Sequence, residues 1–332
     1  MKSPITGKAM RLEYEWRKVP FRKETLTIPY QYYLCEDSSE QFTTTELDEL
    51  NLQMLHNQYR TLHHIPQPDA IRAMREKYGV SASRMGEVLG FGPNTYGQYE
   101  KGDLPTMANA KLLKLAENPA KFLPLAEDWA TTSTKAKADL LKRVNELIEG
   151  HKVRLVDYES YLMGGKATDQ YTGFKSPDFA KLAEMVVFFA QKVPCYKTKM
   201  NKLLFYADFL MFKLFGQSIS GTRYRAIPYG PVPHSFESVF ESLASDAVID
   251  ITYEELKEGG QKQFLTSIKE RRFNEALFTT SELSILNKVQ ERFANTRPYE
   301  IVEISHEEEG WQANEKERAL ISYHYALDLK AV

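Results

Sequence analysis

Along residues 1–45 apolar and polar positions alternate, as in Met10-Arg11-Leu12-Glu13-Tyr14 and in Thr27-Ile28-Pro29-Tyr30-Gln31-Tyr32-Tyr33-Leu34. A period of two carried by aromatic and β-branched residues predicts a small antiparallel sheet. The period changes at Thr44-Thr45-Glu46-Leu47-Asp48, where capping hydroxyls and first-turn acids precede Leu47, Leu50, Met54 and Leu55 at helical spacing. A helix to about Leu62 is expected, ended by Pro66 and Pro68. Between about 69 and 127, Gly79, Gly90, Gly92, Gly102, Pro105 and Pro119 cut the chain into short helical segments. Segments of that length are unstable alone and must share a core. Leu140, Leu141, Val144, Leu147 and Ile148 form an apolar stripe within 130–157, which predicts a connecting helix. The stretch 164–177, rich in Gly, Thr, Ser and Lys, reads as a linker. From Asp178 onward the pattern is mainly helical, with β-like patches at 222–229 and 249–266. The expected fold class is mainly α with small β elements. Its four parts are a β-rich ribbon-like subdomain with a helix (1–65), a helical block (66–128), a connecting helix and linker (129–177), and a mostly helical domain (178–332).

The 332 residues are 42% hydrophobic and 27% charged, which fits a packed, multi-domain globular chain. A formal net charge of −2 argues against a globally basic nucleic-acid coat but leaves room for a local reading head. Two cysteines, Cys35 and Cys195, exclude a disulfide framework and any four-thiolate site. No run approaches the ~20 apolar residues of a membrane span, and the opening Met1-Lys2-Ser3-Pro4 leads into no signal-peptide core. A cytoplasmic protein without a membrane partner is expected.

Ser3-Pro4-Ile5-Thr6-Gly7 and Cys35-Glu36-Asp37-Ser38 are paired at the spacing of a zinc ribbon, yet three of the four ligand positions are hydroxyls. Structural zinc needs thiolates or imidazoles, and Ser and Thr do not ionise near neutral pH. No zinc and no other cofactor are expected, with Trp16, Phe21, Tyr30, Tyr32 and Phe42 packing in place of a metal. His63 and His64 point to different sides of a helix, and His306 lacks the second histidine of a zincin motif. There is no glycine-rich phosphate loop and no Gly-x-Ser-x-Gly elbow, so an enzyme is not expected.

Residues 79–102 are the most specific local signal. Ser81 suits the cap of one helix, Met85 and Leu89 its inner face, Gly90 a left-handed exit, and Pro93 the first position of the next helix. Tyr96 and Tyr99 then point inward, leaving Asn94, Thr95 and Gln98 outward near the start of the second helix. Asn and Gln can bond adenine bidentately from a recognition helix. Gly97 is costly inside a helix, by roughly 1 kcal/mol relative to Ala, and suggests close approach of another backbone. The block resembles Cro/repressor-type helix-turn-helix bundles, and more narrowly the MqsA-like antitoxins, in which a zinc ribbon precedes a helix-turn-helix ending in a turn like Tyr99-Glu100-Lys101-Gly102. The resemblance implies base reading by Asn94 and Gln98. Gln98 stands where arginine is usual, which shifts the preferred base from guanine toward adenine. Ser81, Arg84, Thr95 and Lys101 complete the candidate DNA-binding set. Because five bases balance five acids between 69 and 103, one copy is expected to bind DNA weakly, and a homodimer on a palindromic operator is expected.

Three motifs mark the second half: Lys202-Leu203-Leu204-Phe205-Tyr206-Ala207, then Tyr224 to Tyr229-Gly230-Pro231-Val232, then Ser305-His306 with Trp311. Together they resemble the Panacea, or SocA-like, antitoxin domain over about 178–330. The helix beginning at Lys202 is apolar nearly all round, so it reads as core. The run Pro228-Tyr229-Gly230-Pro231-Val232-Pro233 reads as a rigid loop, and Tyr224, Tyr229 and His234 as candidate toxin-binding residues, with a buried structural corner the alternative. His306 and Trp311 read as an interior polar contact and an anchor. The resemblance implies an antitoxin of a two-gene system that neutralises a cognate protein toxin and represses its own operon. The alternative is a free-standing repressor of a mobile element with a protein-sensing or protease-adaptor domain.

Overall fold

The computed structural model describes all residues except 93, 154–157, 194, 256–260 and 270. They form two compact units, each assembled from separated stretches of chain: Met1–Trp16, Pro29–Asn51 and Tyr158–Val332 in one, Arg17–Ile28 and Leu52–Asp157 in the other. The chain is mainly helical with small antiparallel sheets. Among the described residues no helix is long and apolar enough to cross a membrane.

The N-terminal alternation becomes β1 (Arg11–Phe21), β2 (Glu24–Leu34) and the short β3 (Gln41–Phe42), in the order β1-β2-β3. Leu26, Ile28 and Tyr32 on β2 are buried with the period of a strand, but Pro29 and Gln31 on its other face are buried too, so the strand is covered on both faces beyond Ile28. Thr44 Oγ1 accepts the Leu47 amide at 3.2 Å and opens α1 (Thr45–His63). Asn51 on α1 bonds both backbone groups of Gln31, at 2.7 and 2.8 Å, and ties helix to strand.

The punctuated block folds as α2 (Pro68–Tyr78), α3 (Ala82–Val88), α4 (Thr95–Glu100), α5 (Met107–Ala116) and α6 (Pro119–Glu127). Helices of six and seven residues hold only through shared burial. Ile71, Met85, Tyr96, Leu113 and Phe122 are fully enclosed, each contributing about 1.5–3 kcal/mol. The expected connecting helix is α7 (Thr134–Val153), whose Leu140 and Val144 enter this same core, so it packs as part of the block. The last residues of its expected range, 154–157, lie outside the described residues. Arg60, buried on α1, donates to the carbonyls of Gly102 and Asp103. Arg22 donates to those of Leu104 and Pro105, so two guanidiniums fix the chain leaving α4.

The C-terminal stretch comprises α8 (Tyr158–Leu162), α9 (Phe179–Lys192), β4 (Cys195–Tyr196), α10 (Lys197–Phe215), β5 (Tyr224–Ile227), β6 (Gly230–Pro233), α11 (Phe236–Ser245), β7 (Ile249–Glu255), β8 (Gln261–Ser267), α12 (Thr280–Phe293), α13 (Pro298–His306) and α14 (Glu309–Gln312). Every residue of α10 from Lys199 to Phe212 is buried, which makes it the axis of the domain. One small sheet has the order β4-β8-β7 and another pairs β5 with β6. The 164–177 stretch is not the linker expected from its composition. Thr172 and Phe174 are buried, Ser218 Oγ donates to the Thr172 carbonyl at 2.8 Å, and Tyr323 N donates to Gln170 O at 2.9 Å. Small residues there serve close packing rather than flexibility.

Candidate functional site

On the helical block, α3 and α4 lie against one another. Ser81 caps α3 by accepting the Arg84 amide at 3.3 Å, and Gly90 takes φ +70° at the exit. Pro93 lies outside the described residues. Tyr96 OH donates to Ile71 O at 2.7 Å, and Tyr99 OH accepts from Asn109 at 2.8 Å, so both rings lock α4 inward. Helical spacing then leaves the opposite side free: Ser81, Arg84, Asn94, Gln98 and Lys101 are exposed and Thr95 is half-buried. Asn94 makes no capping bond with its side chain. Arg75 does not join this face, because its Nε donates to Glu100 at 2.6 Å. Gly97 faces Ala82, where a Cβ would sit 3.9 Å from the Ala82 Cβ. That is ordinary contact, so no close backbone approach within the chain explains the glycine.

At the N-terminus the four ribbon positions do converge. Thr6 Oγ1 is 3.5 Å from Cys35 Sγ, and hydrogen bonds from Ser3, Ser38 and Thr6 lower the Cys35 pKa to about 6. One thiol with three hydroxyls is a donor set that does not fit zinc. No group of three metal-binding side chains occurs among the described residues.

In the C-terminal domain the motif residues are mostly interior. Asp208, fully buried on α10, accepts from Ile219 N and Ser220 N at 2.9 Å, Ser220 Oγ at 2.7 Å and Tyr224 OH at 2.8 Å. Burial pushes its carboxyl above the ordinary range, against the pull of those donors. Tyr224 is therefore the buried corner and not a partner surface: its ring is enclosed and its hydroxyl committed. His234 is half-buried, and its Nδ1 accepts from Arg225 Nε at 2.8 Å. Burial and the nearby arginines lower its pKa. Tyr229 is different. β5 and β6 pair from Tyr224↔Pro233 to Ile227↔Gly230, leaving Pro228 and Tyr229 as a two-residue turn with Tyr229 71% exposed.

Beneath that turn Gly230 adopts φ +94°, and a Cβ there would lie 2.4 Å from Ser305 Oγ and 2.6 Å from Lys202 Cε. Only glycine fits. Lys202 is fully buried with no hydrogen-bond partner for its Nζ, and burial lowers its pKa to about 7. His306 stacks on Trp311 at 3.8 Å, and Trp311 Nε1 donates to Ile227 O at 2.8 Å, fixing the turn end of the hairpin. Burial, then the Lys202 charge, lower the His306 pKa.

Beside the hairpin a groove of about 710 Å³ is lined by Tyr229, Tyr196, Tyr253, Tyr299, Lys197 and Lys262, among others. Apart from Tyr229 these residues carry no motif in the sequence. They come from β4, α10, β7, β8 and α13, and only the fold assembles them.

Residues 200–312 match the family model described as Antitoxin SocA-like, Panacea domain, which spans α10 through α14. A SocA-like Panacea antitoxin domain thus occupies the C-terminal part of the chain. No curated protein and no solved structure matches the chain.

Proposed function

We propose that this protein is the antitoxin of a two-gene toxin–antitoxin system, binding and neutralising the product of the adjacent gene through its C-terminal domain and repressing the shared operon through α3 and α4. The single observation that carries the reading is the Panacea match over residues 200–312. The DNA-binding part is supported by the exposed row of Asn94 and Gln98 on a helix whose other side is held by Tyr96 and Tyr99. Ser81, Arg84, Thr95 and Lys101 surround that row. Since Arg75 is paired with Glu100, few free cations face the phosphates, and a homodimer on a palindromic operator supplies the missing affinity. Neutralisation is stoichiometric, in the cytoplasm, with no bond made or broken. The N-terminal knuckle around Cys35 is a ribbon held by hydroxyl hydrogen bonds and packing in place of a metal.

Co-expression tests the first half. The adjacent reading frame is expected to arrest growth alone and to be harmless beside this protein; harmlessness alone removes the antitoxin reading and leaves a free-standing repressor. A mobility-shift assay on the upstream promoter tests the second half. Asn94→Ala is expected to weaken the shift by about 5- to 100-fold, the size of one lost bidentate base contact, and an unchanged shift takes Asn94 out of the readout.

A further inference from the structure

Tyr229 on the β5–β6 turn, Tyr253 on β7 and Tyr299 in the first turn of α13 are 71%, 60% and 55% exposed, and all three line one groove. Large aromatic side chains gathered around a concavity are the composition of a binding hot spot, since each buries much area at low ordering cost. Scattered exposed tyrosines need no explanation, but three from separate elements around 710 Å³ of empty space do.

The adjoining sheet says what shape of occupant fits. β4 pairs with β8 only at Cys195↔Leu265 and Tyr196↔Phe264, because the chain turns into α10 at Lys197. β8 runs on to Gln261 and pairs with β7 along that whole length, down to Glu255↔Gln261. On the β4 side, Lys262 and Gln263 therefore have no neighbouring strand among the described residues, and both line the groove. An open strand edge presents N–H and C=O groups at a spacing that an extended backbone satisfies and a helix does not. The pairing Tyr253↔Gln263 places those two side chains on one face, so the edge and the aromatic wall adjoin.

Resting on the antitoxin reading, we propose that this groove takes an extended segment of the cognate toxin as an added strand beside Lys262 and Gln263 of β8, with its side chains held among Tyr229, Tyr253 and Tyr299. Backbone pairing supplies grip that does not depend on the toxin's sequence, and the rings supply selectivity.

The test uses the purified full-length chain and the product of the adjacent gene. Titration calorimetry is expected to show binding at least tenfold weaker for the Tyr253→Ala/Tyr299→Ala double variant, with its melting temperature within a degree or two of the parent because both side chains are solvent-facing. Hydrogen exchange on the parent complex is expected to slow at the 262 or 263 amide that faces the groove. If the parent binds and neutralises the toxin while the double variant does so equally well, the groove is not the site although the antitoxin reading stands. Protection confined to the outer edge of β7, or absent from β8, overturns strand addition at this edge. If the parent itself neither binds nor neutralises, the antitoxin reading fails, and this inference with it.

Discussion

The helical block and the Panacea domain carry their signature residues on opposite sides of the surface. In the block, the motif that resembles a helix-turn-helix places Asn94 and Gln98 in water and spends its tyrosines on the interior. In the Panacea domain the motif residues Lys202, Tyr206, Tyr224 and Ser305 and the adjoining Asp208 are all buried, and of the motif positions only the Tyr229 turn stands well clear of the protein. The same kind of sequence signal thus falls on an exposed face in one region and on a scaffold in the other. A buried polar network constrains residue identity because each member must satisfy the next. A recognition face constrains identity because of what it touches outside.

The sharpest break between the two is a pair of alanine substitutions. Asp208→Ala removes the acceptor of four buried donors and is expected to cost on the order of 3–5 kcal/mol, the price of orphaned groups in an enclosed core. Asn94→Ala, exposed and without a capping bond, is expected to change stability by less than about 0.5 kcal/mol while weakening DNA binding. Chemical denaturation checks both. A large loss at Asn94, or none at Asp208, would reverse the contrast.

Comparable in size is Lys202→Met, expected to stabilise the protein. The Lys202 pKa falls from its ordinary value of 10.5 to about 7 through burial alone. Between those values the unfolded chain holds a proton that the folded chain refuses, so native stability rises as the pH rises through that window. Methionine removes the ammonium and keeps the length. Its advantage is therefore greatest at pH 7 and below, on the order of 4–5 kcal/mol, and fades toward pH 10. Thermal melts at pH 6.5 and pH 9.5 read the difference. Equal gains at both would mean that packing, rather than the charge, sets the effect.

These expectations show how far the sequence reaches. The strand alternation of residues 1–45, the helix to His63 and the inward turn of Tyr96 were legible because each depends on neighbours a few positions away. Composition misled at 164–177, where Gly, Thr and Ser read as flexible but are the small residues that let Phe174 and Thr172 pack. Tyr224 misled for a related reason: a tyrosine beside a proline-rich turn suits a surface, and only the fold brings Asp208 to its hydroxyl. Tyr196, Tyr253 and Tyr299 were invisible, since the strand ending at residue 196 and the helix starting at 298 share a groove only through tertiary packing.

A smaller effect separates the two kinds of polar pair. Arg75 and Glu100 sit between core and surface, with side chains 20% and 10% exposed. Arg75 donates Nε to Glu100 and Nη1 to Val80 O, so it links the end of α2 to the end of α4. Arg75→Ala is expected to cost about 2 kcal/mol, less than a fully buried pair and more than a surface one. It is also expected to weaken DNA binding through the position of α4. Glu100→Gln, which keeps one acceptor, is expected to cost less in both assays. If Arg75→Ala leaves the melting temperature alone and abolishes DNA binding, the arginine reaches phosphate directly and its place beside Glu100 is incidental.

The smallest change asks whether α4 was shaped for packing or for contact. Gly97 lies in the middle of a short helix, where replacing it with alanine is worth roughly 1 kcal/mol in helix propensity. The neighbouring Ala82 Cβ, 3.9 Å from the position of an added Cβ, leaves room for it. Gly97→Ala is therefore expected to raise the melting temperature by a few degrees. The same variant measured on operator DNA decides the matter. If affinity holds, the glycine serves neither packing nor recognition. If affinity falls while stability rises, the bare backbone at residue 97 is there to let α4 settle closely against the groove floor, and the helical block gives up stability at its surface as the Panacea domain gives it up in its interior at Lys202.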